Sequence, residues 1–355
     1  MSDKMARSPE VPSWTMDVTP ILESLNDAQR QAVTAPAEPM LVIAGAGSGK
    51  TRVLVHRAAW LIDVEGVSPQ GLLAVTFTNK AAAEMRGRIE SLLGQPVNHL
   101  WIGTFHGLAH RLLRRHWREA NLPQNFQIID SDDQLRLIKR LLKSLEIDDS
   151  RWVPREIQYF INAQKDEGRR PQHIDDQGDF FQQQMIRIYQ EYEDACRRGG
   201  MVDFAELLLR SHELWLNNPE LLSHYRERFR HILVDEFQDT NAIQYAWVRM
   251  LVGTDNHLFV VGDDDQGPQF VGLAAQIERN MRCLRVLQGI LRRFLGDVGW
   301  DAHGWGLGRN TGRVPKLIPQ LVDRTQALAD TAVRARTYNL LGIIDLRKNS
   351  ASAIN

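Results

Sequence analysis

Cysteine is scarce in this sequence, with only Cys196 and Cys283 in 355 residues. Two thiols so far apart make neither a disulfide framework nor a zinc site, so both read as reduced and structural. No apolar run reaches the roughly 18 residues that a membrane-spanning helix needs. The start, Met1-Ser2-Asp3-Lys4, runs into polar residues and prolines without the apolar core of a secretion signal, and the expectation is a cytoplasmic protein with no membrane partner. The eleven histidines show no metal-ligand spacing, and no internal repeat or low-complexity tract is present. Net charge is almost absent at −1. Its distribution is uneven: residues 267–355 hold 13 basic and 6 acidic side chains, which leaves 30 basic and 38 acidic in the first 266. Overall charge therefore gives no support for nucleic-acid binding, although a local basic groove would not register in it.

What remains is an ordinary globular composition, 43% hydrophobic and 25% charged, in a chain long enough for two or more domains. The first twenty residues read as a flexible lead-in, and a helix is expected over residues 28–33 with Asn26 or Asp27 as its cap. Short apolar runs at 40–44, 72–77 and 100–104 alternate with helical patterns at 51–62 and 80–93. That alternation is the grammar of a parallel sheet covered on both faces. Residues 107–211 read instead as amphipathic helix rich in Arg, Gln and Leu. Strand grammar then returns at 231–235 and 258–262. The economical reading is one α/β domain with an all-helical insert.

The strongest motif is Ala44-Gly45-Ala46-Gly47-Ser48-Gly49-Lys50-Thr51, which follows an expected strand and opens an expected helix. Glycines let the backbone turn its N–H groups inward around phosphate oxygens, and the helix N-terminus adds partial positive charge. Lys50 is expected on the β/γ-phosphates of ATP and the Thr51 hydroxyl on Mg²⁺, with Arg52 beside the nucleotide. The strict pattern starts with Gly, where this chain has Ala44. Ile232-Leu233-Val234-Asp235-Glu236 supplies the matching half. Asp235, at the end of a buried strand, is placed to share the Mg²⁺ with Thr51, and Glu236 to act as general base on the attacking water.

Asp235-Glu236-Phe237-Gln238-Asp239-Thr240-Asn241 resembles the Walker B element of the UvrD/PcrA/Rep group of superfamily 1 DNA helicases. Further segments are similar to that family in order along the chain. Leu25-Asn26-Asp27-Ala28-Gln29 resembles its Q motif, which implies that Gln29 bonds adenine. Thr76-Phe77-Thr78-Asn79-Lys80-Ala81-Ala82 and Thr104-Phe105-His106-Gly107 resemble its DNA-contacting motifs Ia and Ib, and Val202-Asp203-Phe204-Ala205-Glu206-Leu207 a segment before Walker B. Val261-Gly262-Asp263-Asp264-Asp265-Gln266 resembles the start of motif III, with Gln266 as γ-phosphate sensor. The resemblance implies a RecA-like P-loop NTPase domain. It also implies ATP-driven 3′→5′ movement on single-stranded DNA and duplex junctions, in DNA repair and with DNA-repair proteins as partners. The implied DNA contacts are Phe77, Thr78, Asn79, Thr104, Phe105 and His106. The implied domains are 21–115 and 201–266 for the ATP-binding domain and 116–200 for the insert.

After Gln266 the family pattern is lost: Gly267-Pro268-Gln269-Phe270-Val271-Gly272-Leu273-Ala274 stands where the resemblance expects an aromatic for adenine, a tryptophan for a DNA base and a nearby arginine. The first arginine-finger motif is not found either. A disturbed reading frame in 267–355 is one explanation and a divergent folded region the other. On this reading the chain looks truncated, and the expectation is ATP binding with weak or absent unwinding. A nuclease-coupled helicase relative and a non-catalytic, ATP-dependent module that holds single-stranded DNA or a partner are the competing functions.

Overall fold

The computed structural model describes residues 17–45, 47–176, 178–253 and 255–263. The expectations for Ala46, Gln266, Cys283 and the run 267–355 lie outside them. In chain order the elements begin with α1 (Thr19–Leu22), α2 (Asp27–Val33), β1 (Met40–Ile43) and α3 (Lys50–Asp63). They continue with β2 (Leu72–Thr76), α4 (Asn79–Leu93), β3 (Trp101–Thr104), α5 (Phe105–Arg115) and β4 (Gln127–Ile128). A helical stretch follows: α6 (Ser131–Ser144), α7 (Pro154–Asp166) and α8 (Phe180–Gly199). The last elements are β5 (Met201–Val202), α9 (Phe204–Asn217), α10 (Pro219–Arg228), β6 (His231–Val234), α11 (Ala242–Leu251) and β7 (His257–Gly262).

Five strands form one parallel sheet in the order β1-β7-β6-β2-β3. Parallel strands need crossovers, and helices provide them, so both faces of the sheet are covered. The pleat divides the strand residues between two cores. Leu72, Ala74, Leu233, Phe259 and Val261 pack with Val53, Leu54, Ala58, Met85 and Ile89 of α3 and α4. Leu73, Val75, Ile232, Val234, Leu258 and Val260 pack on the other face with Leu108, Leu112, Leu208, Trp215 and Trp247 of α5, α9 and α11. Burial on both faces is why β2 reads as the unbroken run Leu-Leu-Ala-Val-Thr rather than an alternating one. Removing one such side chain, as in Leu233→Ala, costs about 2–5 kcal/mol.

Helices α6, α7 and α8 share a third core, built on Ile138, Leu142, Ile157, Ile161, Ile188, Tyr189 and Tyr192. Cys196 is buried beside it, and burial pushes its thiol up to about 12, so it is inert at neutral pH. A buried charge network ties this stretch to α9. The Lys165 ammonium contacts Asp203 at 2.7 Å and Glu206 at 3.0 Å, and Arg170 reaches Glu206, Glu193 and Glu213. Two features of this region depart from the sequence expectation. The two-residue strands β4 and β5 pair in parallel, Gln127 against Met201 and Ile128 against Val202, inside a stretch read as helical. The chain is also already helical at Thr19, within the range read as lead-in, because Ile21 packs into the core over α3 and its carbonyl meets the His56 ring.

Candidate nucleotide and DNA site

The C-terminal ends of β1, β7 and β6 lie side by side, and the loops leaving them bring the expected residues together. At the β1 exit the glycines do what only glycine does without strain: Gly47 has φ +75 and Gly49 φ +87. A Cβ on Gly49 would also meet the Gln29 amide nitrogen at 2.9 Å. Lys50, the first residue of α3, is buried, and its ammonium donates to the carbonyls of Ala44 at 3.2 Å and Gly45 at 3.5 Å. It also donates to the Asp263 carboxylate at 3.1 Å. Asp263 reaches it because β7 lies between β1 and β6, a strand order that the sequence does not display.

The Thr51 hydroxyl donates to Asp235 Oδ2 at 3.2 Å, although the two residues are 184 apart in the chain. Asp235 follows β6 and is 2% exposed. Burial, and after it the neighbouring Glu236, pushes its carboxyl up to about 6, while the Thr51 hydroxyl and Lys50 pull the other way. Glu236 sits at φ +47, the left-handed region, with Oε2 accepting from Gln238 Nε2 at 2.7 Å. A half-buried hydroxyl and a buried carboxylate whose charge burial penalises form a hard, all-oxygen donor pair that suits Mg²⁺. Among the described residues no group of three His, Cys, Asp or Glu could hold a metal ion. Among the described residues Asp235 and Thr51 thus pair one carboxylate with one hydroxyl, the kind of sparse set that Mg²⁺ takes when phosphate oxygens and water complete its shell.

Gln29 lies next to this loop but is already engaged. Its Nε2 donates to the Ser48 carbonyl at 2.9 Å, and its Oε1 accepts from the Asn26 N–H in the capping box of α2. Arg52 is engaged as well, donating to the Ser24 carbonyl at 3.2 Å.

The expected DNA contacts divide into exposed and buried groups. Thr78 and Asn79 are exposed and Phe77 half-buried at the exit of β2, where the Thr78 hydroxyl caps α4 by accepting from Ala81 N. Thr104 is 9% exposed and caps α5 in the same way, accepting from Gly107 N. Phe105 does not present the stacking face expected from the sequence. It is 1% exposed and packs edge-on against Phe77 and Trp247, because α5 turns it into the core. His106, beside it, is half-buried, and burial pushes its imidazole down, so the ring is neutral at pH 7. Its neighbour at 6.1 Å is Phe204, 53% exposed, which the sequence had marked only as part of a matching segment. Asp263 and Gln238 are the other two residues at this site to which sequence reasoning gave no partner.

A parallel sheet with the phosphate loop after β1, an acidic pair after β6 and a strand between them defines a RecA-like P-loop domain. A model of the UvrD/REP helicase N-terminal domain matches residues 25–267, ending where the run after Gln266 leaves the pattern. Over 274 residues, 77% of this chain and 38% of theirs, it is 60% identical to DNA helicase II of Salmonella typhimurium and of Escherichia coli. Over 247 residues, 69% of this chain and 34% of the relative, it is 42% identical to the ATP-dependent DNA helicase PcrA of Staphylococcus epidermidis. The chain belongs to the UvrD/REP helicase family. It spans well under half the length of these relatives.

Proposed function

We propose that this chain carries the ATP-binding motor domain of a UvrD-type DNA helicase, which couples ATP hydrolysis to 3′→5′ movement along single-stranded DNA in DNA repair in the cytoplasm. The observation that carries the reading is the meeting of Thr51 with Asp235 beside the Lys50 ammonium. Residues 21–115 and 201–266 form the domain, and 116–200 an insert with its own core.

The backbone of residues 44–49 cradles the triphosphate and Lys50 neutralises its β/γ oxygens, giving up its present carbonyl and carboxylate partners. Gln29 addresses adenine, and Arg52 lies at the rim of the nucleotide. Thr51 and Asp235 would hold Mg²⁺, which would offset charge on the phosphate oxygens. Glu236 takes the proton of a water whose oxygen attacks the γ-phosphorus as the bond to the ADP oxygen breaks. Gln266 senses the γ-phosphate. Phe77, Thr78, Asn79 and His106, with Phe204 beside them, offer rings and polar groups to a single strand, and Thr104 and Phe105 support them from beneath.

In related NTPases an arginine facing the transferring phosphoryl group is worth roughly 10³–10⁵ in rate. Residues 267–355 lack the family run that carries it, so these 355 residues bind ATP, turn it over slowly and unwind little. A non-catalytic module that holds single-stranded DNA is the second reading, favoured by that same departure. Glu236→Gln separates the two. The enzyme reading expects DNA-stimulated hydrolysis to vanish while nucleotide affinity is kept; unchanged hydrolysis defeats it.

A further inference from the structure

Gln238 stands in the short turn Phe237–Asp239, two residues past Glu236, and has no part in the steps above. Its side chain bridges two strand exits. Nε2 donates to Glu236 Oε2 at 2.7 Å, and Oε1 accepts the main-chain N–H of Asp263 at 3.2 Å, one residue past β7. The two ends of an amide are not interchangeable here. A main-chain N–H can only donate, so the oxygen must face Asp263, which commits the nitrogen to the carboxylate. The same nitrogen lies 3.5 Å from Asp239 Oδ2, at the limit of a hydrogen bond.

Glu236 needs such a hold. Its left-handed backbone, φ +47 and ψ +44, is uncommon for a residue with a Cβ and persists only where its surroundings over-determine it. Its own N–H is engaged by Asp235 Oδ1 at 3.2 Å, which fixes the main chain but not the carboxylate. Gln238 supplies the second constraint.

We propose that Gln238 is the positioning residue for Glu236: its amide holds one carboxylate oxygen, leaves the other toward the attacking water, and ties the base to the chain leaving β7. This rests on the reading of Glu236 as general base. A neutral donor suits the task. A lysine or arginine at this position would trap the carboxylate in an ion pair, and a second carboxylate would repel it. The tie has a further consequence. Asp263 pairs with Lys50 at 3.1 Å, so the phosphate-loop lysine, the β7 exit and the base are joined by three consecutive contacts. A shift of the β7 exit is thereby passed to the base.

The test uses the 355-residue chain with Mg²⁺-ATP and two variants. Gln238→Met keeps the side-chain length but removes both polar ends. Gln238→Glu keeps an acceptor for Asp263 N–H but sets a negative charge against Glu236. For Gln238→Met, ATP affinity should stay within about twofold while the single-turnover rate at saturating ATP drops about ten- to a hundredfold, the scale of losing one oriented hydrogen bond to a charged group. For Gln238→Glu, the lost donor and the added negative charge should cut the same rate at least as far while ATP affinity stays within about twofold, a split between rate and affinity that a merely structural role would not produce. Hydrogen exchange of the Asp263 amide, measured on the chain alone, should quicken in Gln238→Met and stay near normal in Gln238→Glu. An unchanged rate in both variants overturns the proposal, as does equal Asp263 exchange in all three proteins. A fully active Glu236→Gln would remove the general-base reading itself. An inactive Glu236→Gln beside a fully active Gln238→Met would remove only the role of Gln238.

Discussion

Asp235 is held at 2% exposure with its carboxyl pushed up to about 6, by burial first and by Glu236 second. In the unfolded chain the same group titrates near its ordinary value of 3.8. Folding therefore binds a proton between these two values, and the metal-free chain loses stability as pH rises through that window. The gap is about 2.2 units, and at about 1.4 kcal/mol per unit the buried charge costs about 3 kcal/mol above pH 6, falling below about 0.5 near pH 3.8. Asp235→Asn removes that penalty. It also loses one of two acceptors, since Thr51 Oγ1 donates to Oδ2 and Glu236 N to Oδ1, for about 1 kcal/mol. The variant should thus be more stable than the unaltered chain by about 2 kcal/mol near pH 8, or about 4–8 °C in Tm for a domain of this size. The advantage should vanish near pH 4. Thermal unfolding in chelator, without nucleotide, at several pH values checks this, and Mg²⁺-ATP affinity of the same variant should collapse. A variant less stable near pH 8, or an advantage that does not change with pH, would refute the reasoning.

Gly49→Ala forces a side chain into φ +87 and against the Gln29 amide, and should lower stability by about 1–2 kcal/mol and weaken ATP binding, read by urea unfolding and nucleotide titration. Lys165→Met strands Asp203 and Glu206 in a buried site and should cost about 3–5 kcal/mol in urea unfolding, with no direct effect at the phosphate loop. Phe77→Ala should weaken single-stranded DNA binding by about 1–3 kcal/mol and leave ATP affinity unchanged, measured by fluorescence anisotropy; equal DNA binding would remove Phe77 from the strand path.

Much of the sheet was legible because burial on both faces writes itself as continuous apolar runs: 72–77 against the observed Leu72–Thr76, and 231–235 against His231–Val234. The cap was legible as Asn26 or Asp27, and it is Asn26, whose side chain and that of Gln29 satisfy each other's backbone groups. Contacts set by strand order were not. Asp263 reaches Lys50 only because β7 enters the sheet between β1 and β6, and no local pattern encodes that position. Phe77 and Phe105 both follow strand ends and look alike in sequence. One is half-buried at the surface, whereas the other is turned by α5 into a ring cluster with Trp247. The bridge between β4 and β5 is two residues long on each side, too short for any periodicity to show. The Lys165 network joins residues nearly forty positions apart, and no pattern within one helix shows which charges on another will meet it.

The proposed function has Thr51 and Asp235, which meet at 3.2 Å from two distant parts of the chain, grip one magnesium-bound nucleotide. A double-mutant cycle on Mg²⁺-ATP affinity, with Thr51→Val, Asp235→Asn and both together, measures that directly. The prediction is strong coupling: either change alone removes most of the magnesium-dependent affinity, and the second adds little. Losses that simply add would contradict it, because two residues that hold the same ion cannot act independently.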